Sequence, residues 1–103
     1  MKEAKFAIGQ IITHKLFNYR GVIIDVDYNF NGSEEWYDKV ARSKPPKDQP
    51  WYHVLVDNTT QHTYVAERNL GVTEILTPVI HPAVDDYFIS LRDGHYVPRV
   101  RKN

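Results

Sequence analysis

Residues 51–66 read WYHVLVDNTTQHTYVA, and this stretch decides the fold class of the chain. Two runs rich in β-branched and aromatic residues, 51–56 and 61–66, flank the polar segment 57–60. Two such runs separated by a short polar turn that contains aspartate and asparagine are typical of a β-hairpin. The sequence therefore predicts two antiparallel strands over this stretch.

A second hairpin is predicted upstream, from residues 6–15 and 22–28. Asn18 and Gly21 supply the conformationally permissive residues of the turn between them. Apolar residues recur with a period of two in the second strand, as expected for a half-buried strand. The pattern predicts that one set of apolar side chains points inward, namely Ile11, Val22, Ile24, Val26, Val54, Val56 and Val65.

Short helical segments are predicted at three places. Ser33 is placed to cap a helix that runs to about Val40, because acids in the first turn suit the helix dipole. Residues 67–70 predict a single turn, and residues 72–80 have room for a short fifth strand. A last helix is predicted from Pro82 to about Leu91, ended by Asp93-Gly94, with one apolar face made of Ala83, Val84, Tyr87, Phe88 and Leu91.

These elements predict a mainly all-β fold, a small SH3-like barrel with a short helix and a C-terminal helix. An open α+β sheet is the alternative. The chain 1–103 is expected to be a single domain with a mobile tail from about residue 97. The proline-rich loop 42–50 is expected to be extended and exposed, and Trp51 or Tyr52 is expected to plug one end of the barrel.

Composition narrows the class of protein. The chain has no cysteine, which fits a cytoplasmic location, and no apolar segment that would serve as a signal peptide or membrane span. Its formal net charge is zero. Because affinity for a polyanion comes largely from lysine and arginine, this balance argues against a simple nucleic-acid binder.

A search for catalytic chemistry leads to no enzyme, cofactor or metal site. His53 and His62 are expected to approach each other across a hairpin, and cross-strand packing is the favoured interpretation because no third ligand is implied. Asp25 and Asp27 share one face of a strand, where a solvated face is favoured over a carboxylate pair. No nucleophile elbow or phosphate-binding glycine loop is present in the sequence.

Charged residues give two candidate surfaces, although ordinary solubilising charge explains each group taken alone. If the basic groups of the first turn, the proline loop and the tail converge, a neutral chain acquires a basic face. The candidate DNA-binding residues are Lys15, Tyr19, Arg20, Arg42, Lys44, Lys47, Arg99 and Arg101. The candidate partner-binding residues are Asp25, Asp27, Glu34, Glu35 and Trp36.

Several blocks of the chain resemble the YccV-like, hemimethylated-DNA-binding family. The blocks are KFAIGQ at 5–10, YRGVIIDVD at 19–27, EEWY at 34–37, KDQPWYHVL at 47–55 and YVAERNL at 64–70. The run DQPWYH at 48–53 is the most specific of them. The resemblance covers nearly the whole chain, with 72–80 and the last few residues poorly determined.

The resemblance implies an SH3-like barrel, binding to hemimethylated DNA and a role in heat-shock quality control. In that role, the protein promotes degradation of denatured client proteins, including a mutant replication initiator, through the Lon protease. It also implies a homo-oligomer, with a trimer as one form. The neutral net charge favours the proteolytic role as the biological function, with DNA binding as a second activity. The alternative is a protein whose main function is to recognise hemimethylated sites, with Tyr19 or Trp36 contacting the methyl group.

Overall fold

A computed structural model describes residues 3–41 and 43–99. Its strands are β1 (Ile11–His14), β2 (Arg20–Asp27), β3 (Trp51–Val56), β4 (His62–Ala66), β5 (Leu70–Val72), β6 (Phe88–Arg92) and β7 (His95–Pro98). Its helices are α1 (Glu34–Val40) and α2 (Val84–Tyr87), and a 3-10 turn spans Glu67–Asn69.

The first five strands form one antiparallel sheet in the order β4-β3-β2-β1-β5. The 3-10 turn carries the chain from β4 to β5, and β5 pairs with β1 instead of with β4. The sheet therefore curls on itself, which confirms the predicted small, barrel-like, mainly β fold. Both predicted hairpins are present, and the Ser33 side chain caps α1 by accepting a hydrogen bond from the Trp36 amide at 3.0 Å.

Strand β2 contains a bulge between Ile23 and Asp25, where its pairing with β3 shifts register. A bulge moves the following side chains to the opposite face. Ile24 accordingly packs in one apolar cluster, whereas Ile23 and Val26 face the other. Val26 is only half-buried and lies on the face opposite to the one that simple alternation predicts. The rest of the predicted inward set is buried but does not share one face, because Ile11, Val22 and Ile24 pack with Phe88 on the outer face and Val54 and Val65 pack with Tyr52 in the barrel core; Val56 is also buried.

The C-terminal helix predicted from Pro82 to about Leu91 is present only as the short α2, which ends at Tyr87. Its second half is wrong, because β6 and β7 form a hairpin from Phe88 onward. Asp93 and Gly94 form its two-residue turn, with φ angles of 50° and 77°. Two successive positive φ angles define the tight turn that an Asp-Gly pair favours between strands. The sequence prediction places a helix end at the same dipeptide, because an Asp-Gly pair is compatible with a helix end as well as with a hairpin turn.

The C-terminal hairpin covers the outer face of the barrel. Phe88 and Tyr96 pack with Ile11 and Val22 in one cluster. The Gly9 carbonyl accepts a hydrogen bond from the Tyr96 amide at 2.8 Å. Val97 and Pro98, at the start of the predicted mobile tail, belong to β7, and 100–103 lie outside the described residues. The fifth strand, β5, comes earlier than the segment 72–80 in which a strand was expected.

Trp51 and Tyr52 occupy opposite faces of β3. Tyr52 lies in the barrel core, and its hydroxyl donates to the buried carboxylate of Glu67 at 2.6 Å. Trp51 is 1% exposed and contacts the rings of Phe30, Trp36, Tyr37 and Tyr64. Its indole N–H donates to the Pro46 carbonyl at 3.1 Å. Trp51 thus anchors α1 and the proline-rich loop, in which Pro45 and Pro50 are buried and not exposed as predicted.

We expect Trp51→Ala to lower the free energy of unfolding by about 3 kcal/mol or more, because it removes a buried ring against which four others pack. Phe17→Ala is the matched control, since that ring is 70% exposed. The control is expected to cost less than about 1 kcal/mol. Urea denaturation of both variants measures the difference. Equal costs for the two substitutions would contradict the anchoring role.

Candidate functional site

A groove of about 700 Å³ lies beside β4, and every residue of that strand lines it. The turn after β1 contributes Leu16 and Phe17, and α1 contributes Trp36 and Val40. Leu16, Phe17 and Val40 are 57%, 70% and 54% exposed. The groove therefore combines an open strand with apolar side chains that are already presented to solvent.

Strand β4 is the edge of the five-stranded sheet. Backbone hydrogen bonds from Val56 to Gln61 and from Glu67 to Pro50, at 3.1 and 3.0 Å, bracket its ladder with β3. Bonded and non-bonded pairs alternate in an antiparallel ladder. The register then assigns the bonds with β3 to Thr63 and Val65. The amides and carbonyls of the alternate residues point away from β3, and these residues are His62, Tyr64 and Ala66.

His14 holds the turn that carries Leu16 and Phe17. Its Nδ1 accepts hydrogen bonds from the amides of both residues, at 3.1 and 3.2 Å. Nδ1 accepts only when it carries no proton. Burial lowers the pKa of His14, which favours the neutral ring that this geometry requires. Asn18 closes the turn with a φ of 57°, and Tyr19 packs against the imidazole with ring centroids 5.0 Å apart.

Arg20 was predicted to reach DNA from an exposed turn, but it is the first residue of β2 and its side chain is 16% exposed. Its guanidinium donates to the carbonyls of Ile75, Thr77 and Pro78, at 2.9, 2.9 and 3.2 Å. It also pairs with the Asp57 carboxylate at 3.0 Å. Arg20 therefore fastens the segment after β5 to the barrel.

The two described lysines of the proline-rich loop are engaged with α1. Lys44 lies 3.3 Å from the Asp38 carboxylate. Lys47 pairs with Glu34, which raises the pKa of the lysine, and its ammonium lies 4.4 Å from the centre of the Tyr37 ring. These contacts compensate the positive charge of the loop within the chain.

The remaining candidate DNA residues are dispersed. Lys15 is exposed at the start of the β1–β2 turn. Tyr19 is half-buried, and its hydroxyl lies 2.8 Å from that of Thr63. Arg99 donates to the Asp85 carbonyl at 2.7 Å. Arg42 and Arg101 lie outside the described residues, so the structure places neither of them.

Of the five candidate partner-binding residues, Trp36 lines the groove. Glu34 forms an ion pair with Lys47, and Glu35 is exposed on α1. Asp27 accepts a hydrogen bond from the Tyr64 hydroxyl at 2.6 Å, and Asp25 is exposed on the same strand. The aspartates therefore belong to the β2–β3–β4 surface and the glutamates to α1.

Sequence reasoning missed the groove itself. The signal was present in Leu16 and Phe17, two large apolar residues that directly follow a strand in a segment of turn residues. Apolar side chains at a turn tip have few neighbours against which to pack. That Val40 lines the groove could not be predicted from the sequence, because it depends on the position of α1, which Trp51 anchors.

The fold and groove define a small, barrel-like β domain with one open edge strand beside an apolar cleft. Within the described residues, no helix is both long and apolar enough to cross a membrane. The family described as hemimethylated DNA-binding protein YccV like matches residues 4–95. The chain belongs to the YccV-like family, which confirms the resemblance seen in its sequence blocks.

The chain is expected to become less stable as the pH decreases, because the His14 ring becomes protonated. The folded-state pKa of this ring is below its ordinary value of 6.5, so the stabilisation is complete above pH 6.5 and is lost as the pH falls toward the lower folded-state pKa. His14→Asn keeps a side-chain oxygen acceptor near Nδ1 without titrating. Melting temperatures measured from about pH 7 to about pH 5 should decline more steeply for the parent than for the variant. Parallel curves would contradict this role.

Arg20→Ala is expected to cost about 3 kcal/mol of stability, because it leaves the largely buried Asp57 carboxylate without its counter-ion. The same variant should accelerate amide exchange in the segment 73–80. Lys44→Ala, which breaks a solvent-exposed pair, should cost less than about 1 kcal/mol. Denaturant titration with amide exchange measures both effects. An Arg20→Ala variant as stable as the parent would return this arginine to the set of candidate ligand contacts.

Proposed function

We propose that this chain is a non-catalytic heat-shock factor that promotes degradation of denatured proteins through the Lon protease. In this proposal, the groove beside β4 holds an extended segment of a client protein. The observation that carries the proposal is the coincidence of an open edge strand with exposed apolar side chains. The family resemblance supplies the biological setting, since the heat-shock protein HspQ is a YccV-like member.

An extended client segment matches both features of the groove. Backbone groups of His62 and Tyr64 are oriented to pair with an added strand, whereas Ala66 is buried at the start of the 3-10 turn. Addition of a strand to a sheet edge provides affinity through main-chain hydrogen bonds with little dependence on sequence. Leu16 and Phe17 would contact the apolar side chains that a denatured protein exposes. Recognition of backbone and apolar surface suits a factor that binds denatured clients, such as a mutant replication initiator, without requiring a common sequence motif.

The charge distribution also supports a protein ligand. Arg20, Lys44 and Lys47 all form ion pairs within the chain. A phosphate contact by any of them would replace an internal partner, which reduces the net gain. Binding of a client in an apolar groove leaves these ion pairs intact.

The second candidate function is binding of hemimethylated DNA, which the description of the family favours. Lys15 is exposed beside the groove turn and offers a contact to phosphate. Recognition of one methyl group in the major groove adds only about 1 kcal/mol through its buried area, so discrimination of at most about tenfold is expected. DNA binding of this kind would weaken steeply with salt, whereas client binding in an apolar groove would not.

We further propose that the protein acts in the cytoplasm as a homo-oligomer, with a trimer as one form. The C-terminal layer exposes large apolar side chains that would favour association, namely Ile75, Leu76, Ile80, Tyr87 and Ile89. This surface is separate in sequence from the residues that line the groove.

Degradation of a denatured client by Lon, measured with and without this chain, tests the proposal. The chain should increase the rate of client degradation. Phe17→Asp should raise by about tenfold the concentration of the chain that gives half of the maximal increase. Tyr28→Asp is the matched control, because Tyr28 is 58% exposed, does not line the groove and lies outside the surface proposed for association. It should leave the rate enhancement unchanged.

Two results would contradict the proposal. One is a chain that leaves the rate of client degradation unaltered. The other is equal loss of enhancement with Phe17→Asp and Tyr28→Asp, which would remove the groove from the mechanism. Binding of a hemimethylated duplex that falls steeply with salt, together with no effect on proteolysis, would establish the second candidate instead.

A further inference from the structure

A cluster of metal-ligating side chains lies on the surface of β2 and β3. Asp25, Asp27 and His53 each offer a ligand atom, and these atoms lie within 4.8 Å of one another. Nε2 of His53 lies 3.2 Å from Oδ2 of Asp27. Of these three residues, His53 also lines the groove, and the proposed function assigns no role to Asp25 or Asp27.

The register of the sheet brings the three donors together. Asp25 is the cross-strand partner of His53, and directly opposed residues of an antiparallel pair point to the same face. Asp27 lies two residues from Asp25 along β2, again on that face. Because the bulge at Ile23/Asp25 precedes this point, it sets which side chains after Ile24 face solvent.

A second layer of residues orients two of the donors. The Tyr64 hydroxyl donates to Oδ2 of Asp27 at 2.6 Å. Nδ1 of His53 lies 3.3 Å from Nε2 of His62. A neutral His62 ring in this position accepts the Nδ1 proton of His53 through its own Nε2. That tautomer leaves the lone pair of His53 on Nε2, the atom that faces the carboxylates.

The negative charge of the cluster is poorly compensated. Within residues 3–41 and 43–99, His53 is the one basic side chain that forms an ion pair with either aspartate. A cation bound between the carboxylates would lower the repulsion between their negative charges.

We propose that Asp25, Asp27 and His53 bind one divalent transition-metal ion, with His62 as a positioning residue. Mg²⁺ and Ca²⁺ prefer oxygen donors alone, whereas an imidazole with two carboxylates suits the series from Mn²⁺ to Zn²⁺. In the bound form the ring proton of His53 is on Nδ1, so the lone pair of Nε2 coordinates the ion. The site does not depend on client or DNA binding.

Isothermal titration of the untagged chain with Zn²⁺ tests the site. We expect one ion per chain, with affinity reduced about tenfold or more by Asp25→Asn and by His53→Gln. His62→Gln should give a smaller loss, because it removes orientation and not a ligand. His81→Gln is the matched control, since His81 contacts the Gln61 carbonyl outside the cluster, and it should bind as the parent does.

We expect the Asp25→Asn variant to remain folded, because Asp25 is exposed and the substitution preserves the shape of its side chain. If His53→Gln destabilises the chain in a thermal melt, the Asp25→Asn result alone decides. A parent that binds no Zn²⁺ would overturn the proposal. So would Zn²⁺ binding that survives Asp25→Asn and is lost in His81→Gln.

Discussion

Burial of β2 and β3 on both faces is the constraint on which the rest of the structure depends. One face of these strands closes the barrel core around Ile23 and Tyr52, and the other is covered by Phe88 and Tyr96 of the C-terminal hairpin. Over residues 21–24 and 54–56 the central strands are thus packed on either side. Within the described residues, the unpaired edges of the five-stranded sheet lie at its two ends, and β4 is the end beside the groove.

The groove follows from this arrangement through two local anchors. Trp51 fixes α1 and the proline-rich loop along one side of β4, and His14 fixes the β1–β2 turn along the other. Both anchors are buried, whereas Phe17 and Val40, which they position, are exposed. Rigid walls that present apolar side chains reduce the entropy lost on binding, because the ligand meets a surface that is already ordered.

The sequence carried enough information for the strands before residue 70 and for the capped helix, since alternation, turn residues and capping are local signals. It failed from Phe88 onward, where Asp93-Gly94 is compatible with a helix end and with a hairpin turn. The site was less predictable. Arg20 was identified as a DNA contact from its charge and position, yet its donors are taken by carbonyls of residues 75, 77 and 78, a contact that depends on tertiary structure. Likewise, His53 and His62 were expected to meet, but the approach of Asp27 to His53 depends on the register of β2 against β3.

The central claim is that an extended client segment pairs with the edge of β4, and amide hydrogen exchange at that strand tests it most directly. On addition of a denatured client peptide, the amides of His62 and Tyr64 should gain protection, because they point away from β3. Those of Thr63 and Val65 should change little, because they already bond to β3. A peptide that binds while the amides of His62 and Tyr64 exchange at their original rates would contradict the account.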